Sequence, residues 1–234
     1  TGTGNDTVKF NGDATFVGHA TTGGTITINT GAGNDIIAVI VGTVIHASAN
    51  RLGSIDAGTG ADVITLSSIS GADTEFNAMN FIVQAGDSVL ATRDKITGFT
   101  DSDNASRFSD YITFDGTSAT ATLASSTDFG VIKSHAITTG IATFDDAAAF
   151  GTALIINASN LADVIGYANA NTADLDVLAF IYDSNNDGAA DSTIVFNNGE
   201  SGTANSVVEL TGLLGSIKIN TGTMASVDGN LGIQ

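Results

Sequence analysis

The stretch TGAGNDII at residues 30–37 decides how this chain folds, because it is repeated. It follows a β-like run at residues 25–29 and combines alternating glycines, an aspartate and an apolar pair. Close copies occur at residues 1–8 (TGTGNDTV) and 57–64 (AGTGADVI). Three copies of the pattern G-x-G-[NA]-D so close together indicate an internal repeat, which in turn predicts a stacked, repetitive architecture.

The spacing of these copies predicts a parallel β-solenoid. Asp6, Asp35 and Asp62 are separated by 29 and 27 residues, and a degenerate fourth copy is expected at residues 84–89. Alternate residues of a strand share a face, so apolar residues at matching positions would stack as interior ladders, with one turn of about 27 residues per repeat. The apolar residues two and four positions after each aspartate are Val8 and Phe10, Ile37 and Val39, Ile64 and Leu66, and Val89 and Ala91.

The turns between these strands predict metal sites. Glycine tolerates positive φ and close backbone approach, so the carbonyl groups can point into each turn. Stacked turns lie about 4.8 Å apart, and their aspartates would repel one another without a cation between them. Carbonyl and carboxylate oxygens suit Ca²⁺. We expect several Ca²⁺ ions with ligands from Gly2, Gly4, Asp6, Gly31, Gly33, Asp35, Gly58, Gly60, Asp62 and Asp87.

The excess of acidic over basic residues limits which molecules the chain can bind. The chain has 25 acidic residues, of which 22 are Asp, against seven basic ones, and its net charge is −18. This argues against nucleic acids and anionic membranes as partners, because too little Lys and Arg is present to neutralise phosphates. An excess of short Asp beside Gly and Asn favours cation ligands in turns, although a general role in solubility would also produce acidity.

Composition also limits how the chain is stabilised. No run approaches the roughly 18 apolar residues of a membrane span, so no membrane insertion is expected. The absence of cysteine excludes disulfides, thiol nucleophiles and Cys-based zinc sites. Calcium is then the obvious stabiliser if the protein is extracellular. Because the chain begins inside a motif, we expect it to be part of a longer protein.

The repeated motif resembles the nonapeptide G-G-x-G-x-D-x-U-x of RTX calcium-binding proteins. This resemblance implies a right-handed, β-roll-like solenoid and export by the type I secretion machinery. The first glycine of the nonapeptide is replaced here by Thr1, Thr30 or Ala57, and the copies are not in tandem, which suggests calcium on one edge only. Such wide spacing is most similar to the C-terminal part of bacterial surface-layer (S-layer) proteins and to adhesins.

A further element follows the repeats and completes a predicted first domain, residues 1–115. The sequence DKITGF at residues 94–99 and DYITFD at residues 110–115 resembles the D-x-I-x-x-F…D-x-I element that closes RTX arrays. This resemblance makes Asp94 and Asp110 candidate ligands of a terminal ion. A solvated loop is the alternative.

The rest of the chain is predicted to be mostly β with one short helix. Residues 116–158 contain short apolar runs, such as 129–132 and 154–156, which we interpret as strands of a continuation or linker region. Residues 159–234 form the third predicted domain. At residues 159–168 the apolar positions Leu161, Val164, Ile165 and Ala168 have helical spacing, and Asn160 and Asp163 could cap the helix. We expect this helix to pack across a sheet or to cover the end of the solenoid.

A second candidate metal loop lies in the C-terminal region. Residues 177–182 and 194–196 predict a β-hairpin around a loop with D-x-N-x-D-G-x-x-D spacing. Oxygen ligands from Asp183, Asn185, Asp187 and Asp191 would suit Ca²⁺, but an ordinary Asn/Asp/Gly turn fits equally. The pattern resembles the C-terminal regions of type I secretion substrates, and the apolar end at residues 231–234 is compatible with an uncleaved export signal.

Catalytic motifs are not found in the sequence. His19, His46 and His135 are scattered and the G-x-G copies are not followed by helical patterns, so we expect no enzyme. The leading hypothesis is a structural, calcium-dependent secreted protein of an S-layer or cell-surface assembly, in which Ca²⁺ drives folding and lattice self-association. The alternative is the RTX secretion and folding module of an extracellular protease, lipase or adhesin.

Overall fold

The computed structural model describes residues 2–12, 26–41, 51–68, 78–99, 110–114, 119–120, 123, 127–138, 141–200 and 205–214. Within them the chain forms sixteen strands, one short 3-10 helix (Leu90–Thr92) and one α-helix, α1 (Leu161–Asn171), which confirms the all-β class. The strands are β1 (Gly2–Thr3), β2 (Thr7–Gly12), β3 (Ile26–Asn29), β4 (Gly31–Ala32), β5 (Ile36–Val41), β6 (Arg51–Asp56), β7 (Val63–Ser68), β8 (Ala78–Val83), β9 (Asp94–Thr97), β10 (Tyr111–Phe114), β11 (Ala119–Thr120), β12 (Ser134–Thr138), β13 (Ile141–Asp145), β14 (Asp176–Tyr182), β15 (Ser192–Asn197) and β16 (Ser206–Thr211).

Strands from successive repeats pair in parallel and in register. β2, β5, β7 and β9 are neighbours in one sheet, and β3, β6, β8 and β10 form a separate four-stranded sheet. Side chains alternate between the two faces, so Ile37 is fully buried whereas Ile36 is 49% exposed. The inward side chains stack on their equivalents in one apolar core, as the rows Val8–Ile37–Ile64–Ile96 and Ile28–Ile55–Phe81–Ile112.

The fourth member of the first ladder differs from the sequence prediction. Ile96, and not Val89, is paired with Ile64, and Ala91 does not extend the row of Leu66. The reason is an inserted segment, since the chain forms the short 3-10 helix at Leu90–Thr92 before the next strand begins. Asp94 therefore occupies the position that was assigned to Asp87.

The C-terminal strands extend the first sheet. β12 pairs antiparallel with β13, and β14, β15 and β16 form an antiparallel series that confirms the predicted hairpin around residues 183–191. β16 then lies parallel to β9, with Val208 beside Asp94 and Leu210 beside Ile96. β11 pairs with β14. The result is a mixed sheet of ten strands that joins both ends of the described chain.

Helix α1 covers the C-terminal part of this sheet, as predicted. Its buried side chains pack with Leu178, Phe180 and Phe196 in a second apolar core. Asn160 is the N-cap residue, but its side chain binds residues 155–157 instead of the helix. The Asp163 carboxylate accepts a hydrogen bond from Val131 N at 3.0 Å, so the predicted side-chain cap does not form.

The region between residues 116 and 158 is only partly as expected. It contributes β11, β12 and β13, but Phe129 and Ile132 exchange backbone hydrogen bonds across a tight turn rather than forming a strand. Gly130 has φ +55°, which the turn requires. Residues 154–156 lie outside any named strand. No helix in the described part of the chain is both long and apolar enough to cross a membrane.

Candidate metal centre

The three glycine turns lie on one edge of the paired strands. Gly2 is in register with Gly31, and Ala32 bridges to Thr59. The amide of Gly4 donates to the Ala32 carbonyl at 2.7 Å, and that of Gly33 donates to the Thr59 carbonyl at 2.9 Å. The turns of the first (2–29), second (30–56) and third (57–83) repeats are therefore stacked directly on one another.

Only glycine fits where the turns touch. A Cβ atom on Gly58 would overlap the carbonyl oxygen of Gly31, and one on Gly60 would overlap that of Gly33. Gly58 also has φ +79°, a left-handed conformation that other residues adopt at a cost. The alternating glycines of the motif thus allow the carbonyl groups of one turn to face the backbone of the next.

Aspartates connect the repeats in a continuous ladder. The amide of Asp6 donates to Asp35 Oδ1 at 2.7 Å, and the amide of Asp35 donates to Asp62 Oδ1 at 2.7 Å. The amide of Asp62 donates to Asp94 Oδ1 at 3.0 Å, which makes Asp94 the fourth member. The amide of Asp94 donates to the hydroxyl oxygen of Ser88 at 2.7 Å, so this row ends at a neutral side chain.

Asparagines form a second ladder that the sequence analysis missed. Asn5 Oδ1 accepts from the amide of Asn34, and Asn34 Oδ1 accepts from the amide of Ala61, both at 2.9 Å. These side chains reach toward the following repeat, whereas the aspartates reach toward the preceding one. The signal was the Asn before Asp in two of the three motifs. Together the two ladders satisfy backbone amides that would otherwise be unpaired in the turns.

The aspartate ladder is buried and carries unpaired oxygen atoms. Asp35 and Asp62 are both 0% exposed, and their Oδ2 atoms have no hydrogen-bond partner. Burial, opposed by a backbone hydrogen bond and reinforced by neighbouring carboxylates, raises the pKa of Asp62 to about 6. The same causes raise the pKa of Asp94 to about 8. Leaving a charged oxygen buried without a partner is costly, so a positively charged partner would stabilise these atoms.

The oxygen atoms at this edge fit a hard cation. Each repeat supplies one ladder carboxylate and several turn carbonyls, an all-oxygen donor set of the kind Ca²⁺ takes. Among the described residues no three His, Cys, Asp or Glu side chains are grouped as a metal cluster. A cation here would therefore depend on backbone carbonyls for most of its ligands, with carboxylates from successive repeats.

The remaining ligands predicted for the repeats take other positions. Asp87 caps its own turn, since its Oδ2 accepts from Gln84 N at 2.9 Å. Its backbone carbonyl accepts from Gly60 N at 3.3 Å. Asp110 precedes β10 and accepts from Met79 N at 2.8 Å, at the start of β8. β8 runs back toward the glycine turns over six residues, or roughly 16 Å, so Asp110 and Asp94 lie at opposite edges. The two do not share one terminal site, in contrast to the sequence prediction.

The loop at residues 183–191 is held by its own side chains. Asp183 is buried and accepts from the amides of Asp187 and Gly188, and Asn185 accepts from Asp187 N at 2.9 Å. Asp191 accepts from Ser184 N at 2.9 Å, and this hydrogen bond lowers the pKa of its carboxyl group. These contacts already stabilise the carboxylates, so the loop has a weaker need for a cation than the ladder has.

One of the three histidines, His135, lies among the described residues. His135 Nδ1 lies 2.8 Å from the hydroxyl of Tyr167, which is buried in the second core. His19, His46 and the export signal expected at residues 231–234 lie outside the described residues.

Comparison with known proteins provides no independent assignment. No protein-family profile, curated protein or solved structure matches this chain. A functional interpretation therefore depends on the geometry of the stacked turns and on the chemistry of the groups that they bring together.

Proposed function

We propose that residues 1–115 form a parallel β-solenoid whose glycine turns bind Ca²⁺ along one edge. On this proposal the chain is a structural, secreted protein in which calcium completes the fold. The observation that carries it is the pair of buried, unpartnered Oδ2 atoms of Asp35 and Asp62. They lie within a stack of turns that also presents backbone carbonyl oxygens.

The electrostatics of the ladder explain why a divalent cation would be needed. Two carboxylates at an inter-strand distance of ~4.8 Å repel each other by about 3 kcal/mol at an effective dielectric constant of 20. A divalent cation between them adds two attractions that outweigh this repulsion. Ca²⁺ suits such a site better than Mg²⁺, because it accepts six to eight oxygen ligands in irregular geometry. Zn²⁺ would prefer imidazole or thiolate ligands, and no His occurs in the motifs.

Binding of calcium would then be coupled to folding. The ligands come from residues that are 27 to 32 positions apart, so the site exists only when the repeats are stacked. Binding free energy is therefore available as folding free energy. Extracellular calcium modules bind at roughly 10⁻⁴ to 10⁻³ M, which would leave the chain loose in the cytosol and folded outside the cell.

A role in an S-layer or a similar cell-surface assembly is the biological setting that we propose. The wide spacing of the motifs, the acidic composition and the lack of cysteine support it. The C-terminal region from residue 159 would act as the type I secretion signal domain. A secretion and folding module of a protease, lipase or adhesin would use the same calcium chemistry, and ordered sheets seen by electron microscopy after calcium addition would favour the S-layer role.

The calcium proposal is tested by thermal unfolding and native mass spectrometry. We expect Ca²⁺ to raise the melting temperature and to add several ions, and EGTA to reverse both effects. Asp35→Ala should lose more ions than Asp6→Ala, because Asp35 hydrogen-bonds to Asp6 on one side and to Asp62 on the other. Asp128→Ala removes an exposed carboxylate elsewhere and should lose none.

A matched salt control is needed for so acidic a chain, because any cation reduces self-repulsion. Mg²⁺ or NaCl at equal ionic strength should give a much smaller rise in melting temperature than Ca²⁺. If either salt reproduced the calcium effect, or if Asp6→Ala and Asp35→Ala lost the same number of ions, the stacked-site proposal would be overturned.

A further inference from the structure

The last interval of the aspartate ladder, between Asp62 and Asp94, differs from the earlier ones. The amide of Asp62 donates to Asp94 Oδ1 at 3.0 Å. The two carboxyl groups also lie side by side, so that a proton on Asp94 can be shared with Asp62, whereas Asp35 acts on Asp62 through its amide and its charge. Two carboxylates in contact repel each other unless a proton or a cation lies between them. We call Asp62 and Asp94 the terminal pair.

The terminal pair is shielded from water. Asp62 is 0% exposed and Asp94 is 4% exposed, and Asp62 Oδ2 has no hydrogen-bond partner. At the other end of the ladder, Asp6 is only half-buried. A buried carboxylate attracts a cation more strongly than an exposed one, because little water is present to weaken the attraction. Burial therefore favours cation binding at the terminal pair over binding at the first interval.

A third carboxylate, that of Asp87, lies near the terminal pair. Asp87 is 8% exposed, and its charge contributes to the raised pKa of both Asp62 and Asp94. Its backbone carbonyl accepts from Gly60 N at 3.3 Å, which places Asp87 against the third glycine turn. Within the described residues these three carboxylates are not grouped closely enough to hold one ion together. Asp87 therefore adds negative charge near the terminal pair but is not itself a ligand.

The terminal pair is connected directly to the C-terminal strands. Ser88 accepts a hydrogen bond from the amide of Asp94 at 2.7 Å and donates its own to the Val207 carbonyl at 2.6 Å. Asp94 begins β9, which pairs with β16. The neighbouring basic residue, Arg93, directs its guanidinium group to Glu209 of β16 at 2.8 Å. An interaction that fixes Asp94 therefore also fixes the strand against which β16 lies.

We infer that the terminal pair is the tightest divalent-cation site of the ladder and that Ca²⁺ bound there fastens the repeats to the C-terminal strands. The inference rests on the proposed function, because it takes the glycine turns to bind Ca²⁺, and it adds an order of filling. Contact between two carboxylates, their burial and the charge of Asp87 all favour this interval. An ion that binds only when β9 is in place stabilises the arrangement in which β9 and β16 are paired.

Calcium titration of the full chain by calorimetry tests the order of filling. At about pH 8.5, above the raised pKa of Asp94, protons compete little with the ion. Asp94→Asn keeps an oxygen acceptor for the Asp62 amide but removes the charge, so the tightest binding should weaken at least about tenfold. Asp35→Asn should reduce the number of bound ions while leaving the tightest dissociation constant within about threefold.

A charge-matched pair of variants tests the part played by Asp87. Asp87→Asn should weaken the tightest binding about tenfold without lowering the number of ions bound at saturation, because it removes charge and no ligand. Asp128→Asn removes one exposed carboxylate elsewhere and should leave the tightest dissociation constant unchanged. Both variants lower the negative charge of the chain equally.

Hydrogen exchange of β16, residues 206–211, tests the fastening of the C-terminal strands. At a calcium concentration that fills only the tightest site, exchange in this strand should slow about tenfold or more in the original chain and in Asp35→Asn. In Asp94→Asn and Asp87→Asn the same slowing should require about tenfold more calcium. The glycine turns are intact in all of these variants.

The results distinguish this inference from the calcium proposal. A chain that binds no Ca²⁺ overturns the calcium proposal, and this inference with it. A chain that binds Ca²⁺ overturns this inference alone if Asp35→Asn weakens the tightest binding as much as Asp94→Asn does. The same conclusion follows if Asp87→Asn behaves like Asp128→Asn, or if filling the tightest site leaves exchange in β16 unchanged.

Discussion

Asp94 shows how burial acts on the carboxyl groups of the aspartate ladder. Burial raises the pKa of its carboxyl group to about 8, and the nearby Asp62 and Asp87 add to the effect. In calcium-free solution near neutral pH, a proton on Asp94 therefore neutralises this buried carboxylate. A raised carboxyl pKa means that the folded state binds more protons than the unfolded state, so stability is greatest at low pH and falls as pH rises toward the folded pKa.

We therefore expect the calcium-free chain to lose stability from about pH 4, the ordinary pKa of an aspartate, to about pH 8, the raised pKa of Asp94. The upper part of this window, above about pH 6.5, lies beyond the usual pKa of His135, whose own pKa is lowered, and far above those of Asp145 and Asp191, which hydrogen bonds lower. The measurement is the melting temperature in EGTA at each pH. Asp94→Asn mimics the protonated acid and should flatten the pH dependence. An equally steep dependence in Asp94→Asn would contradict the assignment to this carboxyl group.

Two glycine positions separate the effect of close packing between turns on stability from the effect of backbone conformation. Gly58 and Gly86 have similar φ values of +79° and +90°. A Cβ atom on Gly58 would overlap the Gly31 carbonyl, whereas one on Gly86 meets nothing within 4 Å. Both Ala variants suffer the conformational cost of about 1–2 kcal/mol, but only Gly58→Ala also forces two turns apart, at roughly 1–3 kcal/mol more.

Denaturant unfolding of both variants in calcium measures this difference. Gly58→Ala should be less stable than Gly86→Ala, and it should also bind fewer ions because the carbonyls of the stacked turns move. Equal losses in the two variants would show that the turns of neighbouring repeats are not in contact.

The parallel ladders were predictable because their signal is local and periodic. Matching positions in the motifs placed Val8 on Ile37 and Ile37 on Ile64, as found. The fourth member could not be placed by counting, because the short 3-10 helix at Leu90–Thr92 shifts the register and has no distinct signature in the sequence. The asparagine ladder has a weaker signal in the sequence, because the third motif has Ala61 at the position where the other two have Asn5 and Asn34.

The pairing of β16 with β9 could not have been predicted at all. It joins residues more than one hundred positions apart, and the hydrophobic pattern of a strand does not specify its partner. This pairing matters for the whole sheet, because the antiparallel strands β14, β15 and β16 then cover the edge of β9, the last parallel strand. An uncovered parallel edge would present unpaired backbone groups to other chains. The C-terminal strands thus complete the sheet on which the repeats depend.

A buried ion pair accompanies this junction. Arg93 Nε donates to Glu209 Oε2 at 2.8 Å, and the Glu209 side chain is 0% exposed. The guanidinium also lies 5.4 Å from the Tyr182 ring and reaches its hydroxyl at 3.3 Å. Ser88 adds a hydrogen bond from its hydroxyl to the Val207 carbonyl at 2.6 Å. The segment that ends the aspartate ladder is therefore anchored to the C-terminal strands by charge and by hydrogen bonds.

Removing one partner of this pair should destabilise the whole molecule. We expect Arg93→Met to cost about 3–5 kcal/mol, because it leaves the buried Glu209 carboxylate without its nearest positive partner. For a chain of this size each kcal/mol lowers the melting temperature by about 2–4 °C. The double variant Arg93→Met/Glu209→Met should recover most of that loss, since a well-packed apolar pair can replace a buried ion pair.

Lys95→Met is the matched control for this experiment. Lys95 Nζ lies 3.6 Å from Glu209 Oε1, but its side chain is 48% exposed, so this ion pair should contribute at most about 1 kcal/mol. Calorimetry in calcium, at concentrations where the chain is monomeric, should show a single unfolding transition for the original chain. Arg93→Met should lower that transition or divide it into two, because the junction holds the repeats against the C-terminal strands. A loss no larger than that of Lys95→Met would mean that backbone pairing between β9 and β16 is sufficient to join them.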